Sequence, residues 1–232
     1  MVEIKNRWAL ITGASRGVGV HVARALAQEG CRVILHSRKV ENTAAIHAEL
    51  VANGSEVYSV EAELSDLTEV DQLVQEVTEI SSDHLDILYN NAALMTPSRP
   101  LFEPSVDDYQ LSFLVNTIVP TKLCDAFIPG MLERDWGRIV NVSSGIIDQP
   151  KLMAYSCSKA ALDRYVRDMI PTLKGSNVLM NLLDPGWLRT DMGGEAAPND
   201  ASTVLPGALV PVLLEKDRGS GTFFEAQNYR ES

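Results

Sequence analysis

The sequence predicts an α/β protein in which a parallel sheet carries helices on both faces. Short apolar runs alternate along the chain with longer segments whose apolar residues recur every three or four positions. Strands alternating with helices imply parallel pairing, because a parallel neighbour needs a right-handed crossover and a helix is its usual filling. The run RWALITGASRGVG, Arg7 to Gly19, places an apolar strand, a glycine-rich turn and the start of a helix in direct succession.

The first strand follows Arg7. VGVHVARALAQEG then makes a helix with Val18, Val22, Ala25 and Leu26 on one face and Gly30 as its stop. CRVILHSR is strand-like, and ENTAAIHAELVANG is a helix closed by Gly54. EVYSVEAEL predicts a strand, Asp66 to Ser81 a helix, and LDILYNNAA a strand. A helix from Val106 to about Pro129 leads to the strand GRIVNVSS, and one from Met153 to about Lys174 leads to NVLMNLLDPG. A last helix from Ser202 to Glu215 and a short strand GTFFEA complete the pattern. No linker, repeat or low-complexity segment divides the chain, so residues 1–232 are expected to form a single domain.

Composition narrows the function. With 20 Lys and Arg against 31 Asp and Glu, the net charge of -11 repels polyanions, which argues against nucleic-acid binding. No apolar run approaches the roughly 18 residues of a membrane span, and Met1 to Trp8 lacks a signal-peptide core, so a cytoplasmic protein off the membrane is expected. Cys31, Cys124 and Cys157 are widely spaced, which suits a reducing compartment and suggests neither disulfides nor a metal site. Cys157 is expected to be a small, buried or half-buried residue rather than a nucleophile.

In a parallel sheet ligands gather at the carboxyl ends of the strands. There, Thr12, Gly13, Gly17 and Gly19 form TGxxxGxG between the first strand and the first helix. Glycines permit a tight turn and close approach of backbone to a pyrophosphate, whose charge the helix N-terminus attracts. The second strand ends HSRK, with Ser37 and Arg38 where an acid would hold the ribose hydroxyls of NAD, and Arg16 adds a cation within the turn. A guanidinium suits a 2'-phosphate that a carboxylate would repel, so NADP(H) is favoured over NAD(H), unless both arginines are simply solvated.

YSCSK, residues 155 to 159, puts Tyr155 and Lys159 one helical turn apart on one face. Alone, it reads more readily as a surface ring packed on a lysine stem. Together with TGxxxGxG, NNAA at Asn90 to Ala93, Asn116 in the fourth helix, NVSS ending the fifth strand, and DPGWLRT, it resembles the short-chain dehydrogenase/reductase family in order and spacing. The resemblance runs from about residue 7 to 195, and the last forty or so residues match only loosely. It implies a Rossmann-like doubly wound fold, with about seven strands in the order 3-2-1-4-5-6-7. It also implies a single-domain carbonyl reductase-like enzyme that assembles as a homodimer or homotetramer.

Carbonyl reduction needs hydride on carbon and a proton on oxygen. The resemblance makes Tyr155 the proton donor, with the Lys159 ammonium favouring its phenolate and holding the nicotinamide ribose. Ser144 would bond the substrate oxygen, with its neighbour Ser143 the competitor, since adjacent strand residues face opposite ways. Asn116 would hold, through its carbonyl, a water linking Lys159 to solvent; Pro120, which has no N–H for that carbonyl, is consistent with this and should kink the helix. The resemblance further assigns the cofactor to Gly13, Ser15, Arg16, Gly17, Val18, Gly19, Ser37, Arg38, Glu63, Leu64, Asn91, Ala92, Tyr155, Lys159, Pro185, Gly186, Trp187 and Thr190, with Asn90 beside the adenosine. Three departures stand out: Ala93 for the usual glycine, Glu63 for the usual aspartate, and eleven positions from Ser144 to Tyr155 where about thirteen are usual.

Leu94, Met95, Ile146, Ile147, Leu152, Met153, Trp187, Leu188 and Met192 suggest an apolar pocket for a small carbonyl or alcohol substrate. Residues of about 187–203, rich in Gly, Pro and small polar side chains, are expected to form a substrate lid. Two rival readings are an NAD-dependent alcohol or sugar dehydrogenase and a non-catalytic protein that senses NADP. The complete set Asn116, Ser144, Tyr155 and Lys159 favours an NADPH-dependent reductase of ketones or aldehydes.

Overall fold

In the computed structural model, which describes residues 1–103 and 105–230, strands and helices alternate as predicted. The order is β1 (Trp8–Ile11), α1 (Gly17–Gln28), β2 (Arg32–Ser37), α2 (Ala44–Ala52), β3 (Val57–Glu61), α3 (Leu67–Ser81), β4 (Leu85–Asn90), α4 (Val106–Phe113), α5 (Val119–Glu133), β5 (Gly137–Val142), α6 (Met153–Leu173), β6 (Val178–Asp184), β7 (Leu188–Arg189), β8 (Asn199–Asp200) and β9 (Phe223–Glu225). A seven-stranded sheet runs β3-β2-β1-β4-β5-β6-β9, all pairings parallel, so β9 is the seventh strand of the expected order. β7 and β8 make a separate two-stranded sheet within the expected lid.

The pleat sorts each strand's side chains between two apolar layers. Ala9, Ile11, Val33 and Leu35 join Val22, Ala25 and Leu26 of α1 and Ile46 and Leu50 of α2. Trp8, Leu10 and Ile34 join Val70, Leu73 and Val77 of α3 and the inner faces of α5 and α6. Val18 is only half-buried against the first layer.

Three elements differ from expectation, each for a local reason. The segment predicted as a helix from residue 41 starts as a 3-10 turn, Val40–Thr43, because the Thr43 hydroxyl bonds back to the Val40 carbonyl at 2.9 Å and competes with helical pairing. The helix from Val106 runs on to Glu133 but passes through a π turn at Leu114–Ile118. Pro120 cannot donate to the Asn116 carbonyl, and the chain answers by widening that turn instead of kinking sharply. The predicted helix Ser202–Glu215 does not form. Pro206 and Pro211 remove two donors, and the segment folds as 3-10 turns at Ala201–Val204 and Gly207–Leu209.

That segment nonetheless buries Val204, Ala208, Leu209 and Val212 in the layer shared with α1. Its carbonyls find partners elsewhere: the Tyr89 hydroxyl donates to Ala208 at 2.9 Å, the Val2 N–H to Leu213 at 3.0 Å, and Arg138 to Leu214 at 2.7 Å. The stretch Val106–Glu133 is long and apolar enough to cross a membrane, contrary to the sequence expectation. Here Val115, Val119, Leu123, Phe127 and Met131 pack it into the second apolar layer, and it encloses the buried Asn116.

Arg138 is fully buried in β5 without a carboxylate partner among the described residues. Its guanidinium donates to the carbonyls of Leu214, Gly137 and Asn177 and lies 4.7 Å from the Trp136 ring centroid; burial lowers its pKa to about 10. Arg138→Ala would remove a donor from the buried Gly137 carbonyl and from the half-buried carbonyls of Leu214 and Asn177, and we expect it to lower the unfolding free energy by about 3 kcal/mol. Urea unfolding of the two proteins measures this, and a change within 0.5 kcal/mol, roughly that of a neutral surface substitution, would show that the anchor is dispensable.

Candidate active site

The site begins where β1 and β4 end. Thr12 is buried, and its hydroxyl accepts the N–H groups of Asn91 and Ala92, each at 3.0 Å. Asn91 Nδ2 donates in return to the carbonyls of Thr12 at 2.8 Å and Gly13 at 3.1 Å. Gly13 and Gly17 have φ of 66° and 56°, a region most side chains avoid. A Cβ on Gly19 would lie 2.3 Å from the Gly13 carbonyl oxygen, so this close approach requires glycine.

His36, at the end of β2, completes the turn. Its Nδ1 accepts the Gly13 N–H at 3.2 Å and its Nε2 donates to the Ala62 carbonyl at 3.1 Å, an arrangement that needs a neutral ring. Burial lowers its pKa to about 4, with the Ala62 bond and the Glu63 charge acting the other way. The sequence reading passed over His36, whose only signal was its place beside Ser37. The N-terminus of α1 has no side-chain cap at Arg16 and no acid in its first turn. Together with the glycine cradle, this fits a dinucleotide pyrophosphate.

The cations are placed unequally. Arg38 is exposed, while Arg16 forms a 2.7 Å ion pair with Asp191 of the 187–203 segment. Ser37 is buried and donates to the Lys39 carbonyl at 2.6 Å. Ser15 and Val18 are half-buried on the turn; Glu63, also half-buried, accepts from Ser65, and Leu64 is buried beside it. Asn90 does not line this crevice: it points into the sheet interior, where its Nδ2 donates to Asn141 Oδ1 at 2.9 Å on the paired strand.

Past the end of β5, adjacent serines turn opposite ways. Ser143 is buried and donates to Asp163 of α6, whereas the Ser144 hydroxyl accepts the Ile146 N–H at 3.2 Å and lies near enough to the Tyr155 phenol to favour its ionisation. Tyr155 is 8% exposed, and Lys159 Nζ lies 5.9 Å from its ring centroid while donating to the Val142 carbonyl at 2.7 Å. Burial lowers the Lys159 pKa to about 8, against the pull of Asp163, so the amine is still mainly protonated at neutral pH. Burial raises the Tyr155 pKa above its ordinary value, the Ser144 hydroxyl opposes this, and the Asp184 charge adds to it. The sequence reading had expected Lys159 to favour the phenolate; here desolvation of the phenol outweighs such help.

Asn116 is buried in the π turn. Its Nδ2 donates to the Leu94 carbonyl at 2.7 Å and Ser158 Oγ at 3.0 Å, and its Oδ1 accepts the Leu94 N–H at 2.7 Å. Ser158 in turn donates to the Tyr155 carbonyl at 2.7 Å, so Asn116 is tied to the helix of Tyr155 and Lys159. Cys157 is exposed, contrary to expectation, because Tyr155, Ser158 and Lys159 take the inner face of α6.

After β6, Gly186 has φ of 82°, and the Pro185 carbonyl accepts from Gln227 Nε2 at 2.7 Å. Gln227 lies beyond the region of family resemblance, and nothing in its sequence context signalled this role. Thr190 Oγ1 accepts the Gly193 N–H at 3.1 Å, and Trp187, 58% exposed, donates to the Gly193 carbonyl at 2.8 Å. Ile147, Trp187, Met153 and Met192 are exposed, and Phe102 joins Met153 in one groove. Leu188, by contrast, is buried in the core layer of α1.

A parallel doubly wound sheet with this glycine cradle and Ser, Tyr and Lys at its carboxyl edge defines a dinucleotide-dependent oxidoreductase. Comparison with known proteins agrees: the short chain dehydrogenase family matches residues 7–201. A 3-oxoacyl-[acyl-carrier-protein] reductase of Synechocystis is 33% identical over 196 residues, 83% of this chain and 78% of that protein. The crystal structure of a 3-oxoacyl (acyl-carrier-protein) reductase from Agrobacterium tumefaciens with NADP bound has a TM-score of 0.87 at 25% identity, covering 96% of this chain and 93% of that one. A metagenomic short-chain oxidoreductase in complex with NADP has a TM-score of 0.79 at 29% identity, covering 95% and 97%. The chain belongs to the short-chain dehydrogenase family and is an NAD(P)-dependent oxidoreductase of that type.

The His36 contacts predict a pH dependence. A histidine held at about 4 in the folded chain and near 6.5 when unfolded adds stability above pH 6.5 that is lost as pH falls toward 4. We expect the unfolding free energy to drop by about 2 kcal/mol from this residue between pH 7 and pH 5. Denaturant titrations of the wild type and His36→Gln at both pH values test it; equal pH dependence in the two would refute the assignment.

Proposed function

We propose that the protein is an NADPH-dependent reductase of ketones or aldehydes, with Tyr155 as proton donor. The observation that carries this reading is the buried Tyr155 phenol beside Ser144, with Lys159 one turn along donating to the Val142 carbonyl, at the edge that also holds the glycine cradle. Gly13, Ser15, Gly17, Val18 and Gly19 would hold the pyrophosphate, Arg38 and Arg16 the 2'-phosphate, and Glu63, Leu64, Asn91 and Ala92 the adenosine side. Lys159, Pro185, Gly186, Trp187 and Thr190 would hold the nicotinamide half. When bound, NADPH supplies hydride to the carbonyl carbon. Ser144 and Tyr155 donate to the substrate oxygen and stabilise its developing charge, and Tyr155 delivers its proton there. The Lys159 ammonium would then return a proton to the phenolate and be reprotonated from solvent through a water held at the Asn116 carbonyl.

NADP rather than NAD is supported by exposed Arg38 directly after β2, by Ser37 rather than an acid closing that strand, and by the NADP named with the structural relatives; Glu61, opposite Ser37 on β3, is engaged by Lys39 and the Val40 N–H. Exposed Ile147 and Trp187 on the loops after β5 and β6, and the groove that holds Phe102, Leu152 and Met153, support a mainly apolar carbonyl compound. Three unpaired cysteines suit the reducing cytoplasm.

Turnover should be followed by NADPH and NADH oxidation against ketones, aldehydes, quinones, keto sugars and 3-oxoacyl thioesters. NADPH should be preferred at least tenfold, and Tyr155→Phe should lower kcat by about 100-fold or more with the NADPH Kd nearly unchanged. A preference for NADH would overturn the cofactor reading, and undiminished turnover by Tyr155→Phe would overturn the mechanism. We also expect a homodimer or homotetramer, as family resemblance implies; a monomeric mass in light scattering would refute it.

A further inference from the structure

Asp184 is the last residue of β6, and its carboxylate lies between the two loops that face Tyr155. On one side Oδ1 accepts the Gly186 N–H at 2.9 Å. On the other, Oδ2 lies against Gly145, next to Ser144, so closely that a Cβ on residue 145 would meet it at 2.6 Å. The Gly145 position is therefore shaped around this carboxylate. An acid is an unusual choice for a half-buried place at a strand end beside another acid: β9 sets Glu225 opposite Asp184, and Asp163 of α6 is close enough to feel its charge. A carboxylate kept among like charges, received by the Gly186 N–H on one side and fitted against the bare Cα of Gly145 on the other, is a built feature.

We propose that Asp184 is a positioning residue of this active site, clamping the Ser144–Gly145 turn to the Pro185–Gly186 turn. The substrate-oxygen site and the nicotinamide site are then held at a fixed separation by one side chain. This rests on the reductase reading given above. A second effect follows from the same placement. The charged groups around the phenol are Lys159 on its own helix and Asp184 from β6, with Asp163 and Glu225 facing Asp184; the Ser144 hydroxyl lies beside the phenol. The negative charge of Asp184 opposes ionisation of Tyr155 and so keeps the proton available for transfer to a carbonyl.

Two measurements test the proposal. The first needs no turnover: ultraviolet titration of the wild type minus Tyr155→Phe, and of Asp184→Asn minus Asp184→Asn/Tyr155→Phe, reports the ionisation midpoint of Tyr155. Asp184→Asn should lower that midpoint by about one pH unit, which loss of packing alone would not do. The second is a double-mutant cycle on kcat, with circular dichroism confirming that each variant is folded. Gly145→Ala, which drives a methyl against the carboxylate, should lower kcat about tenfold in the wild type and far less in Asp184→Ala, where the obstacle is gone. Either an unchanged Tyr155 midpoint or additive losses in the cycle overturns the proposal. An inactive wild type would instead overturn the reductase reading while leaving the titration to decide the role of Asp184.

Discussion

The buried Thr12 hydroxyl receives the N–H groups of Asn91 and Ala92, and Asn91 returns its amide to Thr12 and Gly13. The other loops of the carboxyl edge are arranged around this seam. β1 and β4 are the neighbours between which the winding of the sheet reverses, so the chain leaves them in opposite directions and a crevice opens. Without a stitch across that gap the glycine turn would have nothing to press against, and neither the close approach of Gly19 to Gly13 nor the His36 contact would be positioned. From this point the site extends sideways: toward β2 through His36, and toward β5 and β6 through Tyr155, Lys159 and Asp184.

Much of this was legible in the sequence because it depends on local rules. Alternating apolar runs located the strands of the main sheet, and TGxxxGxG followed by a helical pattern marked the cradle. Tyr155 and Lys159 could be paired from spacing alone, since one turn of helix decides which side chains are neighbours. The choice between Ser143 and Ser144 was open locally; the position of α6 separates the two, with Asp163 drawing Ser143 away. What stayed hidden depends on partners distant in sequence. His36 acts through contacts 23 and 26 positions away, and Gln227 reaches back 42 positions to Pro185. The electrostatic balance at Tyr155 was likewise out of reach, because desolvation is a property of the assembled site.

The π turn at Leu114–Ile118 shows how one residue type can act at two levels. Pro120 withholds a single N–H, and the resulting wide turn accommodates Asn116 at the point where its amide spans the Leu94 backbone and the Ser158 hydroxyl. A regular helix would place the side chains of this turn differently. A feature costly to helix geometry thus serves the alignment of Tyr155, through the bond from Ser158 to its carbonyl.

The segment 201–215 has one more consequence, for what the cleft depends on. A helix satisfies its own backbone and can form before anything docks against it. Here the carbonyls of Ala208, Leu213 and Leu214 depend on Tyr89, Val2 and Arg138, which belong to β4, the N-terminal residues and β5. Those partners are in place only once the centre of the sheet exists. This stretch therefore holds its shape only against the assembled sheet, and Gln227, which follows it and donates to the Pro185 carbonyl, passes that dependence on to the Pro185–Gly186 turn.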